Sequence, residues 1–260
     1  MSLYVNETGT SGAASILFLH GAGAGSYMWG RQLAALADFH CITVDLPGHG
    51  KSNAIKWVSL ADTSDQLAAI IRAHANGGRA HIVGLSLGGY LALALLERHV
   101  ALVDRVVISG VTATPVPSRA LLSPQLWLLS AIMKRSWFVK MQIRSMHVPP
   151  DMQADFTENL LATSMPAYRR IAEEVVEYQL PEALRHVHNP TLVTAGSRES
   201  KIILHSLNAI PKLMPNAQGR IAPEVGHGWN VEAPDLFSEM ARAWITDTPL
   251  PSRLQRPTTT

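Results

Sequence analysis

The chain has 260 residues, of which 47% are hydrophobic and 16% are charged, and its formal net charge is +2. This length suits one large domain, and the low charged fraction predicts a large buried core. No block of lysine and arginine stands out, so the composition argues against nucleic acid as the main partner. With Cys41 as its single cysteine, the chain cannot form an internal disulfide framework.

The first residues, MSLYVNETGTSG, show no basic segment followed by an apolar one. We therefore expect no secretory signal and a cytoplasmic location. The longest aliphatic stretch, residues 120–133, contains Pro124 and is too short to cross a bilayer. We expect no contact with a membrane, and the sequence leaves open whether the chain is a monomer or a homodimer.

Strand and helix patterns alternate along the first part of the chain. In chain order they predict a strand at 16–21, a helix at 29–37, a strand at 41–48, a helix at 59–75, a strand at 80–86, a helix at 89–100 and a strand at 104–111. The strand patterns are short and apolar, and the helix at 89–100 is apolar nearly all round. This alternation predicts an α/β fold with a mostly parallel sheet and helices on both faces.

The alternation stops at about Thr112 and resumes after Arg185. Residues 112–185 show helical patterns and prolines without a convincing strand. The later elements are a strand at 190–196, a helix at 201–214, a short strand within 219–228 and a helix at 234–245. We therefore predict one α/β domain formed by residues 1–111 and 186–260, with a helical insertion at 112–185.

A serine lies between two glycines in GLSLG, residues 84–88. The pattern G-x-S-x-G, placed after an apolar strand and before an apolar helix, is typical of a nucleophile elbow. The glycines avoid clashes in a sharp turn, which exposes the serine hydroxyl above the N-terminus of the helix. The pattern therefore predicts Ser86 as a nucleophile.

A nucleophilic serine needs a base and a group that orients the base. His227 follows the last predicted strand and lies at the same sheet edge as Ser86, so it is the predicted base. The acid is expected at another strand end, between the two in chain order. Glu199 meets this expectation, and Asp45, which precedes the serine, is kept as an alternative.

The glycines of HGAGAGSYMW, residues 20–29, would let the backbone approach a substrate closely. The amides of Ala22 and Leu87 are expected to bind a developing oxyanion. This loop does not match G-x-G-x-x-G, and GHGKS at 48–52 lacks the first glycine of a P-loop. We expect no cofactor, and no metal site at HVH, residues 186–188, where a third ligand is missing.

Together these segments resemble the α/β-hydrolase superfamily, in its helical-capped, esterase-like branch. The matching segments are HGAGAGSYMW (20–29), VDLPGHGKS (44–52), GLSLGG (84–89), AGSRE (195–199) and GHGWNVEAPDLF (226–237). The resemblance implies an α/β-hydrolase fold, a triad of Ser86, Glu199 and His227, and a cap formed by the insertion. Capped members most often carry aspartate at the third triad position, where this chain has glutamate.

We therefore expect a serine hydrolase that cleaves a small-molecule carboxylic ester with an apolar acyl or alcohol part through an acyl-enzyme. The resemblance also implies an alternative, a C–C bond hydrolase or lactonase with the same triad. An alternative of another class is a small-ligand receptor on the same fold. Multiple turnover would distinguish the enzymes from the receptor.

The insertion has an uneven charge pattern. Residues 111–150 contain five basic side chains and no acidic one, whereas residues 151–182 are rich in acidic side chains. Helices that face each other with complementary charge would account for this, and contact of the basic half with lipid or an anionic substrate is the alternative. The apolar side chains expected to line a substrate pocket are Trp127, Met133, Trp137, Met141 and Trp229.

Overall fold

The computed structural model describes residues 2–116 and 132–258, which contain a seven-stranded sheet. The strands are β1 (Val5–Gly9), β2 (Ser15–Leu19), β3 (His40–Val44), β4 (Ala80–Leu85), β5 (Val103–Ser109), β6 (Thr191–Gly196) and β7 (Ala217–Ala222). Their order is β1-β3-β2-β4-β5-β6-β7, and β1 is antiparallel to β3 while the other pairs are parallel. The predicted fold class is confirmed.

The helices of the described residues connect or cover these strands. They are α1 (Gly30–Ala35), α2 (Leu60–His74), α3 (Leu87–Arg98), α4 (Ser136–Ser145), α5 (Gln153–Ala162), α6 (Met165–Val176), α7 (Lys201–Leu213), α8 (Trp229–Glu232) and α9 (Pro234–Ile245). The helix predicted at 234–245 has the bounds of α9, and the predicted helix at 59–75 ends one residue inside its prediction on each side.

The sheet buries both of its faces. Strand β2 is fully buried, with Leu17 facing the apolar layer beneath α2 and α3, and Phe18 facing the layer beneath α1 and α9. A fully buried side chain of this kind contributes about 1.5–3 kcal/mol to the free energy of unfolding. Helix α3 packs in the interior, which explains its nearly uniform apolar sequence.

Strand β1, whose sequence is VNETG, was not predicted from the sequence pattern. This strand is polar and partly exposed because it pairs only with β3 at the sheet edge. It carries no apolar run, and its extended conformation depends on the neighbouring strand rather than on its own burial pattern.

The strand order reverses around β2, since the chain passes from β2 to β3 on one side and then to β4 on the other. Such a reversal leaves a crevice at the carboxyl ends of the strands. The register places Leu19 of β2 beside Gly84 of β4, so the loop after β2 lies next to the start of α3.

The chain between β5 and β6, residues 110–190, is named the β5–β6 segment. Its described residues form α4, α5 and α6 and no strand. The amide of Ser164 donates to the carbonyl of Gly48 at 2.8 Å, which attaches the start of α6 to the loop after β3. None of the helices described for this chain is long and apolar enough to cross a membrane.

The acidic half of the β5–β6 segment contacts the sheet domain. Asp151 pairs with Arg31, and Glu174 accepts hydrogen bonds from Trp57 and Leu60. Among the described residues, no ion pair joins this half to a basic side chain of residues 132–150. The helices α4 and α5 nevertheless pack against each other, so the complementary-charge arrangement considered from the sequence stays a prediction.

Candidate active site

Ser86 connects β4 to α3 in a strained conformation, with φ 55° and ψ −116°. Such backbone strain costs about 1–3 kcal/mol and requires support from the surrounding structure. The turn needs glycine on both sides, because a Cβ at Gly84 would overlap the carbonyl of Gly88, and a Cβ at Gly88 would overlap the carbonyl of Leu19. The strain and the flanking glycines are those expected of a nucleophile elbow.

Hydrogen bonds hold the backbone of this turn. The Ser86 amide donates to the carbonyl of Ser109 at 2.7 Å, and the Ser86 carbonyl accepts from the amides of Gly89 at 2.8 Å and Tyr90 at 3.2 Å. The Ser86 residue remains partly exposed. A rigid turn therefore presents a serine side chain at the carboxyl end of the sheet.

His227 and Glu199 form a hydrogen bond between Nδ1 and Oε1 at 2.8 Å. The Glu199 side chain is 6% exposed and that of His227 is 35% exposed. Because an ionised carboxylate only accepts, this bond places a proton on Nδ1 and leaves the lone pair of a neutral imidazole on Nε2. The pair has the chemistry of a general base with its orienting acid.

Asp45, the alternative acid, is engaged elsewhere. Its two carboxylate oxygens accept from the amides of Ser26 and Lys51, each at 2.8 Å. Asp45 therefore joins the loop after β2 to the loop after β3, while His227 pairs with Glu199.

The end of β5 lies between Ser86 and the His227–Glu199 pair. Ser109 accepts the Ser86 amide, and a Cβ at the next residue, Gly110, would lie 2.8 Å from Cε1 of His227 and 3.3 Å from Oε1 of Glu199. Gly110 also has φ +71°, which side chains rarely adopt. Gly110 had no role predicted from the sequence, because the need for glycine at this position arises from loops that meet only in the folded chain.

The loop after β2 also borders Ser86, since a Cβ at Gly21 would lie 3.4 Å from the Cβ of Ser86. The amides of Ala22 and Leu87 have no hydrogen-bond acceptor within residues 2–116 and 132–258. Two amide donors near one serine could bind a negatively charged oxygen.

Two buried histidines support these loops. His20 accepts the Leu46 amide at Nε2 at 3.0 Å, and its Nδ1 bonds the carbonyl of Gly21 at 2.8 Å. Burial lowers the pKa of His20, which favours the neutral ring. His49 packs against His20 with ring centroids 5.1 Å apart. These contacts hold the loops after β2 and β3 together.

Glu232 is a residue of this region to which sequence analysis assigned no role. Its Oε2 accepts the amide of Gly226, directly before His227, at 2.7 Å. Its Oε1 lies 3.3 Å from Nδ1 of His147 and 3.9 Å from Nη1 of Arg198. The only signal in the sequence is its position within GHGWNVE, five residues after His227.

The residues predicted to line a pocket lie in different surroundings. Trp229 is fully buried, and its Nε1 donates to Oγ of Ser109 at 2.8 Å. It therefore packs beneath the end of β5 and does not line an open pocket. Met133 is buried, with its methyl group 3.3 Å from where a Cβ of Gly23 would lie. Trp127 lies outside the described residues.

Trp137 and Met141 differ from the prediction. They are 56% and 47% exposed, because α4 buries Phe138 and Val139 and thereby turns the opposite face outward. Neither side chain lines an enclosed pocket formed by the described residues.

The described residues contain no cluster of three or more histidine, cysteine, aspartate or glutamate side chains that could hold a metal ion.

Comparison with known proteins identifies the family. Residues 16–240 match the model of the alpha/beta hydrolase family. An AB hydrolase superfamily protein of Gibberella zeae is 30% identical, with 92% of this chain and 83% of that protein covered. The chain belongs to the alpha/beta hydrolase family.

Other relatives carry more specific names. A 2-hydroxy-6-oxononadienedioate/2-hydroxy-6-oxononatrienedioate hydrolase of Burkholderia vietnamiensis is 28% identical, covering 94% of this chain and 91% of that protein. A thermophilic esterase from Thermogutta terrifontis has a similar structure, with a TM-score of 0.79, 22% identity and coverage of 94% of this chain and 93% of that one. The latter likeness shows the fold alone.

Proposed function

We propose that this protein is a serine hydrolase that cleaves carboxylic esters with an apolar acyl or alcohol part. The observation that carries the proposal is the strained Ser86 turn at the same sheet edge as the 2.8 Å bond between His227 and Glu199. Two further observations support it: the amides of Ala22 and Leu87, which have no acceptor among the described residues, and membership of a hydrolase family.

In the proposed mechanism, Nε2 of His227 takes the proton from Ser86 as Oγ attacks the ester carbonyl. Glu199 holds the imidazole in the required tautomer and stabilises its protonated form. The amides of Ala22 and Leu87 bind the oxyanion, and His227 then protonates the leaving alcohol. Water activated by His227 hydrolyses the acyl-enzyme.

The β5–β6 segment is the proposed cap of this site. Met133 lies against Gly23 of the loop after β2, and Met146 lies 3.8 Å from where a Cβ of Gly228, the residue after His227, would be. Methionine side chains at these two points would give the substrate an adaptable apolar boundary.

The second candidate function is that of a C–C bond hydrolase or lactonase, and the names of two relatives support it. Besides the Burkholderia vietnamiensis hydrolase, a 3-oxoadipate enol-lactonase of Acinetobacter baylyi is 23% identical over 94% of this chain. The same triad could serve each reaction, because all three begin at a carbonyl carbon.

The test is hydrolysis of p-nitrophenyl acetate, butyrate, octanoate and laurate by the wild type, Ser86→Ala and the exposed control Ser252→Ala. We expect multiple turnovers by the wild type and the control, and a loss of about 10⁴-fold or more in kcat for Ser86→Ala. The preferred chain length would report the size of the acyl site.

Equal rates for Ser86→Ala and the wild type would overturn the proposal. Inactivity on every ester, with Ser86-dependent turnover of a dienone acid or a lactone, would select the second candidate. A single turnover that leaves a persistent adduct would instead favour a ligand receptor.

A further inference from the structure

The outward face of α4 combines apolar and basic side chains. Trp137 and Met141 lie one helical turn apart and are about half exposed, and Lys140 and Arg144 are exposed on the same side. The spacing of three, four and seven residues from Trp137 places these four side chains on one stripe. They are named the α4 face.

The positive charge of the α4 face is not paired with a carboxylate of any described residue. No ion pair involves Lys140 or Arg144 within the described part of the chain, and Lys134 and Arg135, just before the helix, are also exposed. The sequence has no acidic residue between positions 111 and 150. Within residues 111–150 an anionic surface would therefore meet no carboxylate.

We propose that the α4 face docks the protein on an anionic lipid bilayer. Tryptophan prefers the boundary between lipid headgroups and acyl chains, and neighbouring lysine and arginine are attracted to anionic lipids. Protein interfaces are also enriched in tryptophan, methionine and arginine, but they are depleted in lysine, which this region carries at Lys134 and Lys140. From the sequence we expected no membrane contact, whereas the exposure of Trp137 and Met141 favours the alternative, contact of the basic half of the insertion with lipid.

The ends of α4 relate this face to the candidate active site. Met133, before the helix, lies beside Gly23 of the loop after β2, and Met146, directly after the helix, lies beside Gly228 of the loop that carries His227. Docking through α4 would bring both loops close to the bilayer. If the proposed function holds, apolar esters dissolved in the membrane would then be the substrates closest to the site.

The test measures binding rather than activity, so its result is independent of the proposed function. The full chain is sedimented with vesicles of phosphatidylcholine alone and of equal parts phosphatidylcholine and phosphatidylglycerol. We expect binding to the mixed vesicles only, and weaker binding as salt is raised.

Two variants probe the α4 face. We expect Lys140→Gln/Arg144→Gln to bind mixed vesicles about 25-fold more weakly, from about fivefold for each charge removed. Trp137→Ser/Lys140→Gln removes one apolar and one basic side chain and should bind at least tenfold more weakly, with less of the blue shift in tryptophan fluorescence.

The matched control is Val58→Ser/Lys56→Gln, which removes an exposed apolar and an exposed basic side chain elsewhere. It should bind like the wild type. No binding of the wild type, or equal binding of the control and the α4 variants, would overturn the proposal. So would a self-associated species in gel filtration that Trp137→Ser/Lys140→Gln abolishes while vesicle binding persists.

Discussion

Glu232 links three parts of the candidate site through one carboxylate. One oxygen accepts the Gly226 amide at 2.7 Å, and the other lies near Arg198, adjacent to Glu199, and near His147 of the β5–β6 segment. The side chain is 13% exposed, so solvent replaces these contacts poorly. Its position favours a role in holding His227 rather than in contacting substrate.

We expect Glu232→Ala to lower kcat about tenfold or more with little change in KM, because the loop carrying His227 loses its anchor and small misplacements are costly in catalysis. Glu232→Gln keeps an oxygen for the Gly226 amide and should retain most of the activity. The measurement is steady-state hydrolysis of the preferred ester.

Glu239→Ala is the control for this change, since Glu239 lies on α9 in an exposed pair with Arg253. It should leave kcat unchanged. Equal effects of Glu232→Ala and Glu239→Ala, or a Glu232→Gln variant as poor as the alanine variant, would contradict the positioning role.

At this scale the positions of Ser86 and His227 at the carboxyl ends of strands were predictable, because each follows a strand with its own local pattern. Their catalytic roles stay predictions. Gly110 and Glu232 were missed because their requirements arise between distant loops. The prediction that Trp137 lines a pocket was wrong, because the neighbouring helices decide which side of α4 packs inward.

At the scale of elements, α6 is attached to the sheet domain through Glu174. Its Oε1 accepts the amide of Leu60, the first residue of α2, at 2.8 Å, and its Oε2 accepts Nε1 of Trp57 at 3.2 Å. A carboxylate at a helix N-terminus also interacts favourably with the helix dipole. One side chain of the β5–β6 segment therefore completes the start of α2.

We expect Glu174→Ala to lower the free energy of unfolding by about 2 kcal/mol, because two donors lose a charged acceptor in a partly buried position. Urea unfolding followed by circular dichroism measures the loss. The neighbouring Glu173 is exposed, so Glu173→Ala should change stability very little. If both variants unfolded at the same urea concentration as the wild type, Glu174 would not stabilise α2.

Elements with their own apolar pattern were predictable from the sequence, whereas elements that depend on a distant partner were not. The buried strands and α9 were predictable because their apolar patterns match their burial. Strand β1 was missed because it is polar and depends on β3 for its conformation. Contact between the acidic half of the β5–β6 segment and the sheet domain was also missed, since charge patterns do not identify the partner.

For the whole molecule, two buried histidines make stability depend on pH. Burial, with a smaller contribution from His20, lowers the pKa of His49 to about 3, although Asp45 opposes the shift. The Nδ1 of His49 bonds the carbonyl of Pro47 at 3.0 Å, and its Nε2 is buried without a partner among the described residues. Protonation of the buried His49 ring is therefore unfavourable in the folded chain.

Acid lowers the free energy of unfolding, because His49 binds a proton more readily in the unfolded chain than in the folded one. In the unfolded chain His49 binds a proton below its ordinary pKa of about 6.5, whereas in the folded chain it does so only near pH 3. Its stabilising contribution is therefore complete above pH 6.5 and is lost as the pH falls toward 3. Between pH 8 and pH 5 the expected loss is about 2 kcal/mol for this histidine.

The substitution His49→Gln removes the titratable ring and leaves a side-chain amide that can donate to the carbonyl of Pro47. We expect the free energy of unfolding, measured in urea at pH 8 and pH 5, to fall by about 2 kcal/mol less in this variant than in the wild type. His188→Gln is the control, because His188 is exposed and should leave the pH dependence unchanged. An equal fall in His49→Gln and the wild type would mean that His49 does not resist protonation, and that acid destabilises the fold through other groups.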